Sequence, residues 1–154
     1  MKRYIAMSMA ALLCMLAGCA GLRTRHVITA EKFQKVMEKA GYTVLDMGSE
    51  AYKAAGVTQV LQAVKGADVG AIFFVGETTE KAEKVFGSYK ELSDINREAN
   101  DTLEETAGKN FVAYELSSSG SYYYFARVDN TLLYFFGPAD EKNEIDRQIK
   151  ALGY

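Results

Sequence analysis

Residues 111–136 read FVAYELSSSGSYYYFARVDNTLLYFF, and this stretch decides the fold. Three apolar, aromatic-rich runs, 111–116, 121–128 and 131–136, are separated by the polar segments SSSG and DN. Aromatic and β-branched residues favour strands, whereas Gly, Asp and Asn favour tight turns with left-handed backbone angles. The stretch therefore predicts an antiparallel meander of three strands.

Further strands are predicted upstream of the meander. Residues 42–47, YTVLDM, have the composition of a strand, and residues 69–76 contain the strongly β-prone run IFFV. Residues 57–64 fit a helical apolar stripe as well as a strand. The turn signal KGAD at 65–68 favours the strand, because it predicts a hairpin into 69–76.

Helices are predicted around these strands. Thr29 suits the N-cap of a first helix, and Gly41 suits its end. A long apolar stripe predicts a second helix over residues 79–106. Gly137 and Pro138 end the meander, and Pro138 is tolerated in the first turn of a third helix.

Together these elements predict an α+β fold in a single domain, residues 29–154. Strands in adjacent hairpins form an antiparallel sheet, and each helix carries one apolar stripe with which to cover it. We expect an antiparallel sheet of five or six strands with about three helices packed on one face.

The first 19 residues have the organisation of an export signal. Lys2 and Arg3 supply positive charge, residues 4–17 are almost entirely apolar, and the small Gly18 precedes Cys19. The apolar run is too short to cross a hydrocarbon core about 30 Å thick, which takes about 20 helical residues. We therefore interpret residues 1–18 as a cleaved signal peptide.

Leu16-Ala17-Gly18-Cys19 resembles the lipobox of bacterial lipoproteins at all four positions. In that family a diacylglycerol is attached to the Cys sulfur, a dedicated peptidase cuts before the Cys, and the new amine is often acylated. The resemblance implies cleavage between Gly18 and Cys19 and lipidation of Cys19. Two or three acyl chains give firm membrane anchoring, whereas one chain is marginal.

An extracytoplasmic, membrane-anchored protein follows from this resemblance. The anchor would lie at the outer face of the cell membrane or at the outer membrane, which Ala20 after the Cys permits. Residues 19–28 would be the lipidated Cys and a tether. The implied partners are the lipid bilayer, contacted through acylated Cys19, and the lipoprotein-processing enzymes.

Composition limits the remaining functions. Removal of the leader takes Lys2 and Arg3 and leaves 16 basic against 20 acidic residues, a formal net charge of −4. No dense basic cluster is present, so we expect no nucleic-acid partner. Cys14 would be removed with the leader, and the sulfur of Cys19 would be acylated. The mature chain would therefore contain no free thiol and no disulfide.

Catalytic constellations are weak in this sequence. The only histidine, His26, lies on the tether, which argues against a Ser-His-Asp arrangement and against imidazole metal ligation. We expect no catalytic residue, no metal site and no cofactor. An acid pair acting on cell-wall glycan remains an alternative, because carboxylates alone can hydrolyse glycosidic bonds.

One run of oxygen-bearing side chains has the spacing of a calcium loop. The sixth position is Ala99, where the loop needs Gly, and the run falls inside the predicted second helix. We therefore interpret it as a solvated helix surface. The residues at loop positions 1, 3, 5, 7 and 12 are Asp94, Asn96, Glu98, Asn100 and Glu105.

Three consecutive tyrosines are the candidate ligand-facing residues. Along a strand, Tyr122 and Tyr124 share one face, while Tyr123 and Phe125 share the other. One face would build the core under the helices. The other would present Tyr rings, which make rigid amphipathic platforms for glycan or peptide.

The mature part also resembles small bacterial lipoprotein domains of unassigned function. The residues that carry this resemblance are RVDNTLLY at 127–134 and IKALGY at 149–154. We expect a non-enzymatic binding or structural domain displayed in the cell envelope, with an envelope protein or glycan as partner. The alternatives are the carboxylate-dependent glycan enzyme and a lipid-tethered accessory subunit of an envelope complex.

Overall fold

The computed structural model describes residues 23–95 and 97–154. The predicted signal peptide, residues 1–18, and the predicted lipidation site, Cys19, lie outside the described residues. The strands are β1 Thr43–Asp46, β2 Val57–Lys65, β3 Val69–Gly76, β4 Thr102–Ala107, β5 Phe111–Ser118, β6 Ser121–Val128 and β7 Thr131–Pro138. The helices are α1 Ala30–Lys39, α2 Thr79–Ile95 and α3 Lys142–Leu152, with short 3-10 helices at Glu50–Ala55 and Ala139–Glu141.

The fold is α+β, as predicted, and is built on one antiparallel sheet. The strand order is β1-β2-β3-β7-β6-β5-β4. Strands β1 to β3 form one meander and β4 to β7 form a second, and the two meet where β3 pairs with β7, with Gly70 opposite Phe136. The predicted strands from the 57–76 hairpin and from residues 111–136 are confirmed.

Local chemistry explains the turns and helix ends. Asp129 has a φ angle of 47°, the left-handed conformation that the DN segment predicted, and Ser119 in the SSSG turn has a φ angle of 45°. The Thr29 hydroxyl accepts a hydrogen bond from the Lys32 N–H at 3.1 Å and caps α1, as predicted. Gly153 ends α3 in a left-handed conformation.

The sheet has seven strands rather than five or six, because the second helix is shorter than predicted. It ends at Ile95, and Thr102–Ala107 pairs with β5 as the edge strand β4. Leu103 and Ala99 fit a helical stripe in the sequence, but Leu103 packs across the β4–β5 ladder opposite Leu116. Tertiary pairing thus overrides the local periodicity.

The prediction that the helices pack on one face is wrong, since they cover both. The face that carries Phe73, Leu133 and Phe135 is covered by α1 and α3, and we call it the closed face. The opposite face, which carries Phe74 and Phe125, is covered by α2 and by Tyr52 of the first 3-10 helix, and we call it the open face.

Aromatic stacking fixes the helices to each face. On the closed face Phe33 of α1 stacks on Phe73 with ring centroids 5.1 Å apart. On the open face Phe86 of α2 stacks on Phe125 at 4.7 Å. Offset aromatic pairs of this kind contribute about 0.5–1.5 kcal/mol beyond the area that they bury.

Residues 23–28 lie against the domain, and we call this segment the strap. The Lys109 N–H donates to the Arg23 carbonyl at 2.9 Å, and the Arg25 guanidinium lies 4.1 Å above the Phe111 ring. Ile28 is buried in the core of the closed face. Within the described ranges, no helix is long and apolar enough to cross a membrane.

Candidate ligand groove

The three candidate tyrosines of β6 separate between the two faces. Tyr122 and Tyr124 lie on the closed face and are 1% and 3% exposed. Tyr123 lies on the open face and is half-buried. The strand alternation was therefore predicted from the sequence, and of the three rings Tyr123 is the one at an open surface.

The Tyr122 hydroxyl belongs to a polar network that joins β5, β6 and α3. It bonds Glu115 at 3.1 Å and Asp146 at 3.0 Å, and the Lys142 ammonium contacts both of these carboxylates. Burial raises the pKa of Tyr122, and the neighbouring carboxylates raise it further. The side chains of Glu115 and Asp146 are 36% and 43% exposed, and with Lys142 they line a pocket of about 260 Å³ on the closed face. Their contacts with Lys142 and Tyr122 join α3 to the sheet.

Tyr124 ties the strap to the closed face. Its hydroxyl accepts a hydrogen bond from the Arg25 guanidinium at 3.1 Å. Burial raises the pKa of Tyr124 to about 12, so the ring stays neutral under physiological conditions. The role of Tyr124 is thus structural.

A groove of about 300 Å³ opens on the open face, between the C-terminal half of α2 and strands β5 to β7. Its floor is the aromatic surface of the sheet, and its rim is formed by α2, the segment before β4 and the end of β5. Its lining consists of Tyr89, Leu92, Ser93, Asp101, Leu116, Ser118, Tyr123, Phe125 and Tyr134.

Strand register builds the aromatic floor. Tyr123 lies opposite Leu116 on one side and Phe136 on the other. The rings of Tyr123 and Tyr134 are parallel within 7°, with centroids 6.5 Å apart, and the Tyr134 and Phe136 centroids are 5.7 Å apart. Residues of successive strands on one face thus give a continuous row of rings.

Gly70 makes room for the end of this row. A Cβ at this position would lie 2.4 Å from Cζ of Phe136, which is closer than real contacts allow. The far end of the Phe136 ring therefore lies over the backbone of β3 at Gly70. A glycine opposite an aromatic residue is the sequence feature that permits this placement.

Helix α2 forms one side of the groove, and polar contacts hold its C-terminal end in place. The Tyr114 hydroxyl donates to Asp94 at 2.5 Å, and the Lys90 ammonium contacts Glu105 at 2.6 Å. Tyr89, from the same helix, packs on Phe125 with centroids 4.9 Å apart. These contacts fix the distance between the helix and the floor, so the groove is formed before any ligand arrives.

The residues with calcium-loop spacing make hydrogen bonds and an ion pair within the protein. Asp94 and Glu105 make the contacts just described, and the Glu98 N–H donates to the Asp101 carboxylate at 2.8 Å. Asn96 lies outside the described residues. In the described part of the chain, no group of three or more His, Cys, Asp or Glu side chains is placed to hold a metal ion.

The groove is nearly neutral. Its described lining contains one acid, Asp101, and no basic side chain. Burial raises the pKa of Tyr134 to about 12 and also raises that of Tyr89. The hydroxyls of Ser93 and Ser118 lie at the rim and can donate and accept. The groove therefore suits an uncharged ligand with apolar faces and hydroxyl groups.

Sequence reasoning found Tyr123 but missed the rest of the groove. Tyr89 and Leu92 belong to the apolar stripe that predicted the second helix, yet Leu92 is 57% exposed in the structure. Asp101 was interpreted as helical and instead precedes β4. The missed signal is the polar segment NREAND at 96–101, which separates the helix from the strand.

Comparison with protein-family models and with curated proteins gives no match. Among solved structures, the chain is similar to a GTP binding regulator from Thermotoga maritima, with 16% identity, a TM-score of 0.50, and coverage of 82% of this chain and 88% of that one. It also matches the extracellular domain of PknH from Mycobacterium tuberculosis, with 11% identity, a TM-score of 0.39, and coverage of 80% and 90%. At these identities the first likeness concerns the fold alone.

Proposed function

We propose that this chain is a non-enzymatic, lipid-anchored bacterial envelope protein whose groove on the open face binds an uncharged glycan segment. The observation that carries the binding proposal is the preformed aromatic groove with hydroxyls and one carboxylate at its rim. The lipid anchor rests on the resemblance of Leu16-Ala17-Gly18-Cys19 to a lipobox.

The chemistry of the groove favours glycan over charged ligands. A sugar ring has an apolar face that can lie on an aromatic ring, while its hydroxyls hydrogen-bond to serine and carboxylate groups. The Tyr123 and Tyr134 rings supply the flat surface, and Asp101 supplies an acceptor. A phosphate-bearing ligand would meet no basic side chain in the described lining.

Binding can be measured by calorimetry with soluble, uncharged cell-wall glycan fragments and the lipid-free domain. We expect Tyr123→Ala to weaken binding by about twofold to tenfold, because one stacked ring contributes about 0.5–1.5 kcal/mol. Tyr52→Ala is the matched control, since Tyr52 is a 39% exposed aromatic residue of the open face outside the groove lining. Equal binding by both variants, or none by the wild type, rejects the proposed ligand.

Anchoring is tested separately by the intact mass of membrane-extracted protein and by Cys19→Ser. We expect a mature N-terminus at acylated Cys19, and we expect the variant to be released from membranes or to keep its leader. A variant that is processed and fractionates like the wild type contradicts the lipid anchor.

A further inference from the structure

The strap is bound to one end of the sheet by several independent contacts. The Asn110 side chain hydrogen-bonds to both backbone groups of Arg25. The Asn110 side-chain carbonyl accepts a hydrogen bond from the Arg25 N–H at 3.0 Å, and the Asn110 amide donates to the Arg25 carbonyl at 2.9 Å. Gly108 permits this close approach, because a Cβ there would lie 2.5 Å from the Arg23 carbonyl oxygen. The strap therefore has a defined path from Arg23 onward.

These contacts define two opposite ends of the domain. The strap meets the turn at 108–110, beside the β6–β7 turn at 129–130, and we call this the anchor end. The groove opens towards the β5–β6 turn at 119–120, as Ser118 and Tyr123 in its lining indicate, and we call this the groove end. Strand β5 joins the two ends over eight residues, or about 25 Å at 3.3 Å per residue.

Only a short length of chain separates the strap from the lipidated residue. Four residue steps lie between Cys19 and Arg23, and they span at most about 14 Å even when fully extended. This reach is shorter than the domain itself. A domain whose residues 23–28 are bound cannot turn its groove end towards the bilayer on such a link.

We propose that the strap holds the domain end-on against the bilayer, with the anchor end at the lipid surface and the groove pointing away from it. This inference rests on the lipid anchor proposed above for Cys19. Arg23 and Lys109 are exposed and adjacent at the anchor end, where they face anionic headgroups. The glycan that enters the groove is then one that lies above the membrane, in the envelope layer.

The test uses two versions of the lipidated protein, each with one fluorophore at one end of the domain. Each is placed in liposomes that carry a short-range quencher on their headgroups. The mature chain has no other thiol once Cys19 is acylated, so Lys109→Cys labels the anchor end and Ala67→Cys labels the exposed β2–β3 turn at the groove end. We expect loss of most of the fluorescence at position 109 and no measurable loss at position 67.

A second pair of variants isolates the strap. Asn110→Ala and Arg25→Ala are introduced together into each labelled protein. They remove the hydrogen bonds between Asn110 and Arg25 and the contacts of the Arg25 side chain with Phe111 and Tyr124. We expect the quenching to fall at position 109 and to rise at position 67. Asn130→Ala is the matched control at the same end, because its amide donates to the Gly76 carbonyl at 2.9 Å rather than to the strap. It should leave both signals as in the wild type.

The outcomes separate this inference from the function on which it rests. Protein that sediments with the liposomes but is quenched equally at both positions, or more at position 67, overturns the end-on orientation alone. An Asn110→Ala, Arg25→Ala double variant with wild-type quenching at both positions shows that the strap does not set the orientation and also overturns it. Protein that does not sediment with liposomes overturns the lipid anchor and, with it, the orientation.

Discussion

The closed and open faces of the sheet use the same residue types for different purposes. On the closed face two helices cover the strands, and the hydroxyls of Tyr122 and Tyr124 are bound by charged neighbours. On the open face α2 and a short 3-10 helix leave Tyr123 and Tyr134 half-buried beside a groove. The comparison teaches that the area which the helices leave uncovered, rather than strand composition, decides whether an aromatic ring is available to a ligand.

The largest expected difference between the faces is in stability. Phe73→Ala on the closed face should lower the free energy of unfolding by about 3–5 kcal/mol, because it empties a fully buried site beneath Phe33. Tyr123→Ala on the open face should cost only about 1 kcal/mol, as expected for a half-exposed position. Urea denaturation of the two variants measures both values. Similar losses of unfolding free energy would contradict the proposed difference in stability between the faces.

A pH titration tests the closed face through its buried tyrosines. Tyrosine in an unfolded chain ionises near pH 10, whereas burial raises the pKa of Tyr124 to about 12 in the folded protein. The unfolded state therefore loses its proton first, and stability that is complete below pH 10 falls as the pH rises towards 12. Tyr124 alone accounts for about 2–3 kcal/mol of this fall.

The readout is the denaturation midpoint at several alkaline pH values. Tyr124→Phe has no proton to lose at this position, so its stability should decline less steeply between pH 10 and 12. An identical slope in the variant and the wild type shows that Tyr124 is not responsible.

Two glycines, one in α2 and one in β3, are expected to have small effects of opposite sign. Gly87 lies in α2, and a Cβ there would meet no atom within 4 Å, so Gly87→Ala should raise the free energy of unfolding by up to about 1 kcal/mol. Gly70→Ala should instead lower it by about 1–3 kcal/mol, because the new Cβ displaces the Phe136 ring. Thermal denaturation of both variants measures these changes. A higher free energy of unfolding in Gly70→Ala as well as in Gly87→Ala would mean that the Phe136 ring is free to move.

Much of the fold was predictable because most strands have strong local signals. The hairpins at 57–76 and 111–136 combine β-prone runs with turns that need left-handed angles, and both features are local. The sequence also contained a signal, not used in the prediction, that helices would cover both faces of the sheet. Strands β3 and β7 have consecutive apolar residues, IFFV and LLYFF, which are typical of strands buried on both sides.

The edge strand β4 and the groove were not predictable in the same way. The sequence of β4, TLEETA, is exposed at nearly every position and has no apolar alternation, since only Leu103 packs against the sheet. The groove exists because α2 stops at Ile95 and leaves part of the floor uncovered. Where a helix stops depends here on the pairing of β4 with β5, which is a tertiary contact.

The meeting of the two meanders at β3 and β7 has a consequence for the order of folding. All other strand pairs join neighbours along the chain, whereas Gly70 and Phe136 come together across α2 and three strands. Closing such a long loop costs more chain entropy than closing a hairpin, so we expect the two meanders to form first and their junction last. Pulse-labelled hydrogen exchange should then show the β5–β6 amides protected before those of the β3–β7 ladder. The last step of folding would thus be the one that completes the sheet beneath the aromatic groove.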